Sequence, residues 1–507
     1  MLRHLLAGSS LLVLATAAQV GTASASPIFD LSPGSISFGN VLVGQSSSRD
    51  VTVTSRVGQT MNLTFNNPDS PFSGDTSNVS LKSGKSTTDT ITFAPTVRGN
   101  ASDSVGVSGK AGSATQTGSV ALSGKGVAPL QSVTASSPNY VLVGKTGSAS
   151  VTVTNNGDGN LSGLGSASNL KGTVGAGSGR FSGGGGAVSL QDGKSTTLGY
   201  TVAPTSRGVT STTITSNFTN GSADGKNKSQ SVNTTLTTQG VAAVNAVSAG
   251  SAPVTRIGTT GTAGLTVSNI GDGNLSGLGS VSNLQGTVGS SSGLFAGAGG
   301  SVNLQDGGSK TFGYAFTPTD HVTSATNILA SFTNGSSDGK NQAQNVTTTL
   351  QGRGVGPTYN SSAAPGDTLD FGKVQVGKTG VLDLMLSNIS TDIAPGNLTW
   401  LSLLGVSLTG PGAAAFSLDK SFVSAVLMEG DLFDLKLDFS SLKAGLFNAD
   451  LTIATDQNAA FGANGMSFTY HLQGQAVPEP ASLAILGAGA LMLLGARRRR
   501  TAGGEAR

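Results

Sequence analysis

The sequence predicts an all-β protein built of tandem β-sandwich domains, with an apolar targeting segment at each end. Three observations carry this. Among 507 residues there are 75 glycines and only three glutamates, with Ser, Thr, Asn and Val abundant, so strong helix formers are scarce while strand and turn formers dominate. Apolar residues recur with period two: Phe433, Leu435, Leu437 and Phe439 fall on one face and Asp434, Lys436 and Asp438 on the other, one side buried and one wet. Finally, residues 151–166 return almost unchanged at 265–280, an offset of 114. That offset is the size of a small domain, not of a solenoid repeat.

In chain order, Met1 to His4 give a short basic start, Leu5 to Val20 an apolar run, and Ala23-Ser24-Ala25 a small-x-small cleavage site. Residues 1–25 therefore read as a signal peptide for the Sec export machinery, with Ala23 and Ala25 as the small residues of the cleavage site and the mature chain beginning at Ser26. Four sandwiches follow, expected at 26–129, 130–243, 244–357 and 358–476, the third a duplicate of the second. Each opens near Val41-Leu42-Val43-Gly44 or its equivalents at 141–144, 255–258 and 374–377, and each closes on Gly124-Lys125-Gly126 or a relative of it (Gln239-Gly240, Gly352-Arg353-Gly354, Gly474-Gln475). Inside each, an early strand carries Val151/Val153, Leu265/Val267 or Leu384/Leu386. A later one carries Ile91/Phe93, Leu198/Tyr200/Val202, Phe312/Tyr314/Phe316 or Leu435/Leu437/Phe439. The chain then turns at Pro95, Pro204, Pro318 or Ser441, a corner before the next strand.

The chain has no cysteine, so disulfides and thiolate metal sites are excluded and packing alone must hold the fold. Setting aside Arg3, Arg497 to Arg500, Arg507 and Glu505 leaves 23 basic and 25 acidic residues. The sequence pI of about 9.0 therefore belongs to the ends. A sparse, nearly neutral body offers no footprint for nucleic acid.

The chain's last segment begins with Pro478-Glu479-Pro480, continues through an uncharged apolar run from Ala481 to Ala496, and meets Arg497, Arg498, Arg499 and Arg500. Sixteen residues make a helix of about 24 Å, short of the roughly 30 Å hydrocarbon core unless the arginines snorkel. Their positive charge keeps that end, and residues 501–507, cytoplasmic. Residues 477–500 resemble the PEP-CTERM sorting signal of exported Gram-negative proteins. That resemblance implies recognition by an exosortase, a transient inner-membrane anchor at 481–496 facing the periplasm, processing near the tripeptide, and delivery to the surface or matrix.

The body carries a second resemblance. Phe38-Gly39-Asn40-Val41-Leu42-Val43-Gly44 and Phe371-Gly372-Lys373-Val374-Gln375-Val376-Gly377, the Asn-x-Gly strand end, the proline corner and the closing glycines are similar to the choice-of-anchor D domain, related to immunoglobulin-like ASH modules. It implies a seven- or eight-stranded immunoglobulin-like sandwich with a structural or adhesive role and no catalytic residues. The middle pair departs from this pattern, lacking the Phe-Gly opening of the first strand.

Remaining candidates for chemistry are few. The loops around Asp158 and Asp272 have the oxygen-rich, glycine-punctuated look of a calcium site, but the roughly 12-residue spacing and terminal glutamate are missing, and the composition is also that of tight turns. The loops Asp224-Gly225-Lys226-Asn227 and Asp338-Gly339-Lys340-Asn341 are read the same way. No metal or cofactor is expected; Asp158 and Asp272 are the calcium candidates. His321, in the corner column shared with Arg98, Arg207 and Ala444, and His471 read as surface residues. With no nucleophile-base pair or ligand cluster in view, catalysis is not expected. The favoured reading is an exported structural protein of the cell surface or polymer matrix. The alternative is an adhesin or glycan binder, possible contact with extracellular polysaccharide being made by the long glycine-rich loops 170–186 and 284–300, where Phe181, Leu294 and Phe295 are the apolar candidates.

Overall fold

The computed structural model describes residues 26–419 and 422–479, so the expected signal peptide with Ala23 and Ala25, Pro480, the 481–496 helix and Arg497 to Arg500 lie outside the described residues. No helix among the described residues is long and apolar enough to cross a membrane. The fold is all-β, as the composition and the period-two pattern predict. The strands fall into four repeats of one topology, each a four-stranded sheet facing a five-stranded one.

In the first repeat the strands are β1 (Phe29–Ser32), β2 (Ser35–Leu42), β3 (Ser47–Ser55), β4 (Met61–Asn66), β5 (Phe72–Ser73), β6 (Asn78–Leu81), β7 (Ser86–Phe93), β8 (Gly99–Ala111) and β9 (Ala114–Val127). The sheets run β1-β3-β7-β5 and β2-β9-β8-β4-β6. Their inner faces meet in one core that includes Phe29, Val51, Val53, Met61, Ile91, Phe93, Val105 and Val120, the arrangement of an immunoglobulin-like sandwich. The strand count is nine per repeat instead of seven or eight, because the chain between β4 and β6 contributes the very short β5, whose Phe72 stacks on Phe93 at 4.8 Å.

The Phe-Gly opening has a specific task. β2 runs parallel to β9, and the register slips between Ser37 and Asn40. Gly39 sits there at φ +66°, which a side-chain-bearing residue rarely adopts, and the bulge turns Phe38 inward to within 5.7 Å of Phe72 and Phe93. The fourth repeat repeats the slip between Asp370 and Lys373, around Gly372 at φ +67°. Without Phe-Gly, the counterpart strands Tyr140–Leu142 and Val254–Arg256 shrink from eight residues to three while keeping their parallel pairing.

The closing glycines are set by steric approach. A Cβ on Gly124 would lie 2.6 Å from the Phe93 ring; Gly352 faces Phe316 and Gly474 faces Phe439 at 2.7 Å. In the second repeat the aromatic is replaced by Val202, and the glycine by Thr238. A Cβ on any of the following glycines, Gly126, Gly240 or Gly354, would lie 2.7 Å from a corner proline; where Ser441 replaces proline, Ala476 replaces glycine. Each swap conserves volume across the contact.

The glycine-rich segments expected as binding loops alternate short strands with turns. Leu170–Val174, Phe181–Ser182 and Gly186–Leu190, and their counterparts Leu284–Val288, Phe295–Ala296 and Gly300–Leu304, are paired into the sandwiches. Phe181 and Phe295 are buried, the latter stacked 4.7 Å from Phe316. A Cβ on Gly185 would reach within 1.8 Å of the Val174 carbonyl oxygen, so the glycine marks close backbone approach, not slack chain.

We expect Gly124→Thr to cost about 1–3 kcal/mol through overpacking against Phe93, and the added change Phe93→Val to recover part of that loss. A double-mutant cycle by urea unfolding checks this; additive losses would contradict the steric account.

Candidate functional site

By contact, the described residues form two compact units: one of residues up to 139 with 146–203 and 209–238, the other of 140–145, 204–208 and residues from 239 on. The polar loops singled out in the sequence lie at the joints between successive repeats. In the first unit the connection between β9 and the next strand (Gln131–Ser136) is three residues long, and Val127 and Ala128 within and beside it are fully buried. The strand-end residue Asn155, also fully buried, accepts from the Leu130 and Gly157 amides and donates to the Asp158 and Leu190 carbonyls. Gly157 has to be glycine, since a Cβ would come 2.4 Å from the Leu130 nitrogen.

Asp158 itself is not a vacant calcium ligand. Its Oδ2 accepts from Arg98 Nε at 2.6 Å and from the Ala128 amide at 3.2 Å, and its Oδ1 accepts from Lys125 Nζ at 3.2 Å. Burial pushes the carboxyl up, but the hydrogen bonds from Arg98, Lys125 and Ala128 outweigh it and hold Asp158 below the ordinary aspartate range. Arg98 comes from the corner after Pro95, so a residue of one repeat is gripped by a loop of the next. The Asp224–Asn227 turn closes from the other side: a Cβ on Gly225 would lie 3.5 Å from the Arg98 stem, and Asn227 Nδ2 donates to the Val43 carbonyl at 3.0 Å.

The second unit contains equivalents of each part. Asp272 Oδ2 accepts from Arg207 Nε at 2.6 Å and from the Ala242 amide at 3.1 Å, while Asn341 Nδ2 donates to the Val143 carbonyl at 3.3 Å. Asp392 pairs with His321 Nδ1 at 2.6 Å and Arg353 at 3.4 Å and accepts from the Gly356 amide at 3.0 Å. His321 is thus exposed, as read, yet engaged. His471 stands outward on its strand, 2.7 Å from Asp450 across the ladder. The connecting residues Val241, Ala242, Ala243 and Val244 are buried as well.

One junction group had no forerunner in the sequence reading. Arg256, where the other repeats have Leu42, Leu142 and Gln375, is 2% exposed and pairs with fully buried Asp456 at 2.9 Å. Its remaining N–H groups donate to the carbonyls of Ala459, Asn397, Leu398, Trp400 and Asp456. Asp456 also accepts from the Ser402 and Gly462 amides, so the pair is enclosed with its hydrogen-bonding capacity used, the condition under which a buried ion pair is tolerated. Burial lowers the Arg256 pKa and Asp456 opposes that shift. The single tryptophan, Trp400, packs edge-on to Phe461 at this joint.

At the other end of the body, the last strand, Ser467–Val477, runs up to the sorting tripeptide without a spacer. Val477 is still paired to Gln375, and Pro478 and Glu479 follow exposed. Residues 476–500 match the PEP-CTERM protein-sorting motif. The match marks an exported protein sorted to the cell envelope or surface by an exosortase, with processing and membrane association through the tail. Among curated proteins none matches the chain. Solved structures similar to parts of it include the ASH / PapD-like domain 7 of human CEP192 (16% identity, 22% of this chain and 94% of that one, TM-score 0.20). A protein of unknown function from Porphyromonas gingivalis W83 (14%, 45% and 99%, TM-score 0.17) and the class 5 fimbriae chaperone CfaA (12%, 41% and 98%, TM-score 0.17) are others.

Two outcomes are expected. Arg256→Ala, which leaves Asp456 buried without its cation, lowers the unfolding free energy of the fourth repeat by about 3–5 kcal/mol, read by urea titration with Trp400 fluorescence; an unchanged midpoint would refute the role of the pair. Because folded Asp158 keeps its charge to lower pH than an unfolded aspartate at 3.8, its stabilisation is complete above that value and is lost as pH falls through the lower folded value. Asp158→Asn should remove this acid-range dependence from thermal melts of the first two repeats.

Proposed function

We propose that this chain is a non-catalytic structural protein of the cell surface or extracellular polymer matrix of a Gram-negative bacterium. In this reading, Sec-dependent export is followed by transient anchoring through the 481–496 helix with Arg497 to Arg500 on the cytoplasmic side. An exosortase then reads Pro478, Glu479 and Pro480. The observation that carries the reading is the use made of the loops. Asp158, Asp272, Asp392, His321, Asn227 and Asn341 are the polar residues a binding or catalytic site would draw on, and each is spent on a joint between repeats. The aromatic residues that would stack on a sugar are core residues, as with Phe181 and Phe295, or joint residues, as with Trp400. A specific glycan contact is the rival to a purely structural role.

Glu479→Ala, or deletion of Arg497 to Arg500, should leave export intact while the protein is retained or mislocated in cell fractionation; unchanged surface delivery would contradict the sorting roles given to these residues. The exported body should pass through immobilised matrix polysaccharide unretained, whereas retention at micromolar concentration would favour the adhesin reading.

A further inference from the structure

We propose that Asp89, Asp75 and Asn67 of the first repeat form a binding site for a divalent cation of the calcium type. The starting point is an anomaly in the core. Asp89 lies on the inward column of β7 with Ile91 and Phe93, and its counterparts in the other repeats are Leu198, Phe312 and Leu435. Asp89 is nevertheless 0% exposed. A carboxylate removed from water at a position its sister repeats fill with hydrocarbon requires a compensating partner.

Half of that compensation is visible. Asp89 Oδ1 accepts from the amides of Asp75 and Thr76 at 3.1 and 2.9 Å. Oδ2, equally buried, has no hydrogen-bond partner. The Asp89 carboxylate lies beside a second one, that of Asp75, whose Oδ1 is fixed by the Thr90 amide and the Thr76 hydroxyl, each at 3.0 Å. Among the described residues no lysine or arginine forms an ion pair with either acid.

A third oxygen joins them. A Cβ on Gly74 would lie 2.3 Å from Asn67 Oδ1 and 3.0 Å from Asp89 Oδ2, so both oxygens converge on space that exists because residue 74 lacks a side chain. The site is walled on the Asp89 side and open on the side of Asp75 and Asn67, both exposed, where water completes a coordination shell. Two carboxylates, an amide oxygen and several waters in irregular array suit calcium, which takes six to eight oxygens flexibly; magnesium demands a near-ideal octahedron. A bound ion would tie the 67–76 segment, including β5, to β7. This site is separate from the loops of Asp158 and Asp272.

The test is calorimetric titration of the chelator-treated full chain with calcium chloride at pH 7, paired with thermal melts. One saturable site per chain and a raised melting temperature are expected. Asp89→Leu, which installs the residue type of the sister repeats, should abolish binding while the chain stays folded in chelator. Asp75→Asn should weaken binding at least tenfold. Absence of saturable binding, or binding that survives Asp89→Leu, would overturn the proposal. So would a stability that depends on pH but not on calcium in the unaltered chain and loses that dependence in Asp89→Leu, because the two acids would then share a proton.

Discussion

Within each unit the structure depends on one constraint: the segment that joins one repeat to the next is short and buried. Linkers between domains are usually exposed and polar. Here Val127 and Ala128, and again Val241 to Val244, are covered, so their backbone amides must find protein partners. Asn155 and Asp158, Asn269 and Asp272, and Asn388 and Asp392 supply them. The same aspartates then reach a basic corner of the preceding repeat. One loop thus satisfies a linker and locks a joint.

The ends of the array follow from the same logic. In the first repeat Ser55 and Gly58 stand where later repeats have the strand-end asparagine and the clamp aspartate, and the β8–β9 connection is a tight turn in place of the Asp-Gly-Lys-Asn loop. In the fourth, Ala444 replaces the basic corner residue. The first repeat therefore lacks the clamp, and the fourth lacks the cation to be gripped.

Much of this was legible in the sequence. The period-two columns located the core strands, the 114-residue offset exposed the duplication, and the tripeptide with its apolar and basic continuation marked the sorting signal. What escaped was non-local. Asp158 finds its cation at Arg98, sixty residues away in the chain, and no local pattern encodes that; the glycine-punctuated loop therefore reads as a tight turn, with a calcium site as the lesser alternative. Segments 170–186 and 284–300 read as loops because glycine weakens strand propensity, yet there it permits close backbone contact. Arg256 and Asp89 were visible as departures from their repeat columns, but whether a departure is exposed or buried is decided only by packing.

Joints closed in this way are as well protected as the sandwiches they connect. Native-state hydrogen exchange resolves this directly through the amides of Ala128 and Leu130, which donate to Asp158 and Asn155, compared with those of β3 and β7. Protection of the linker amides equal to that of the strands is predicted. Exchange at the rate of an open chain, with the strands still protected, would show that the repeats move as separate bodies and would contradict it.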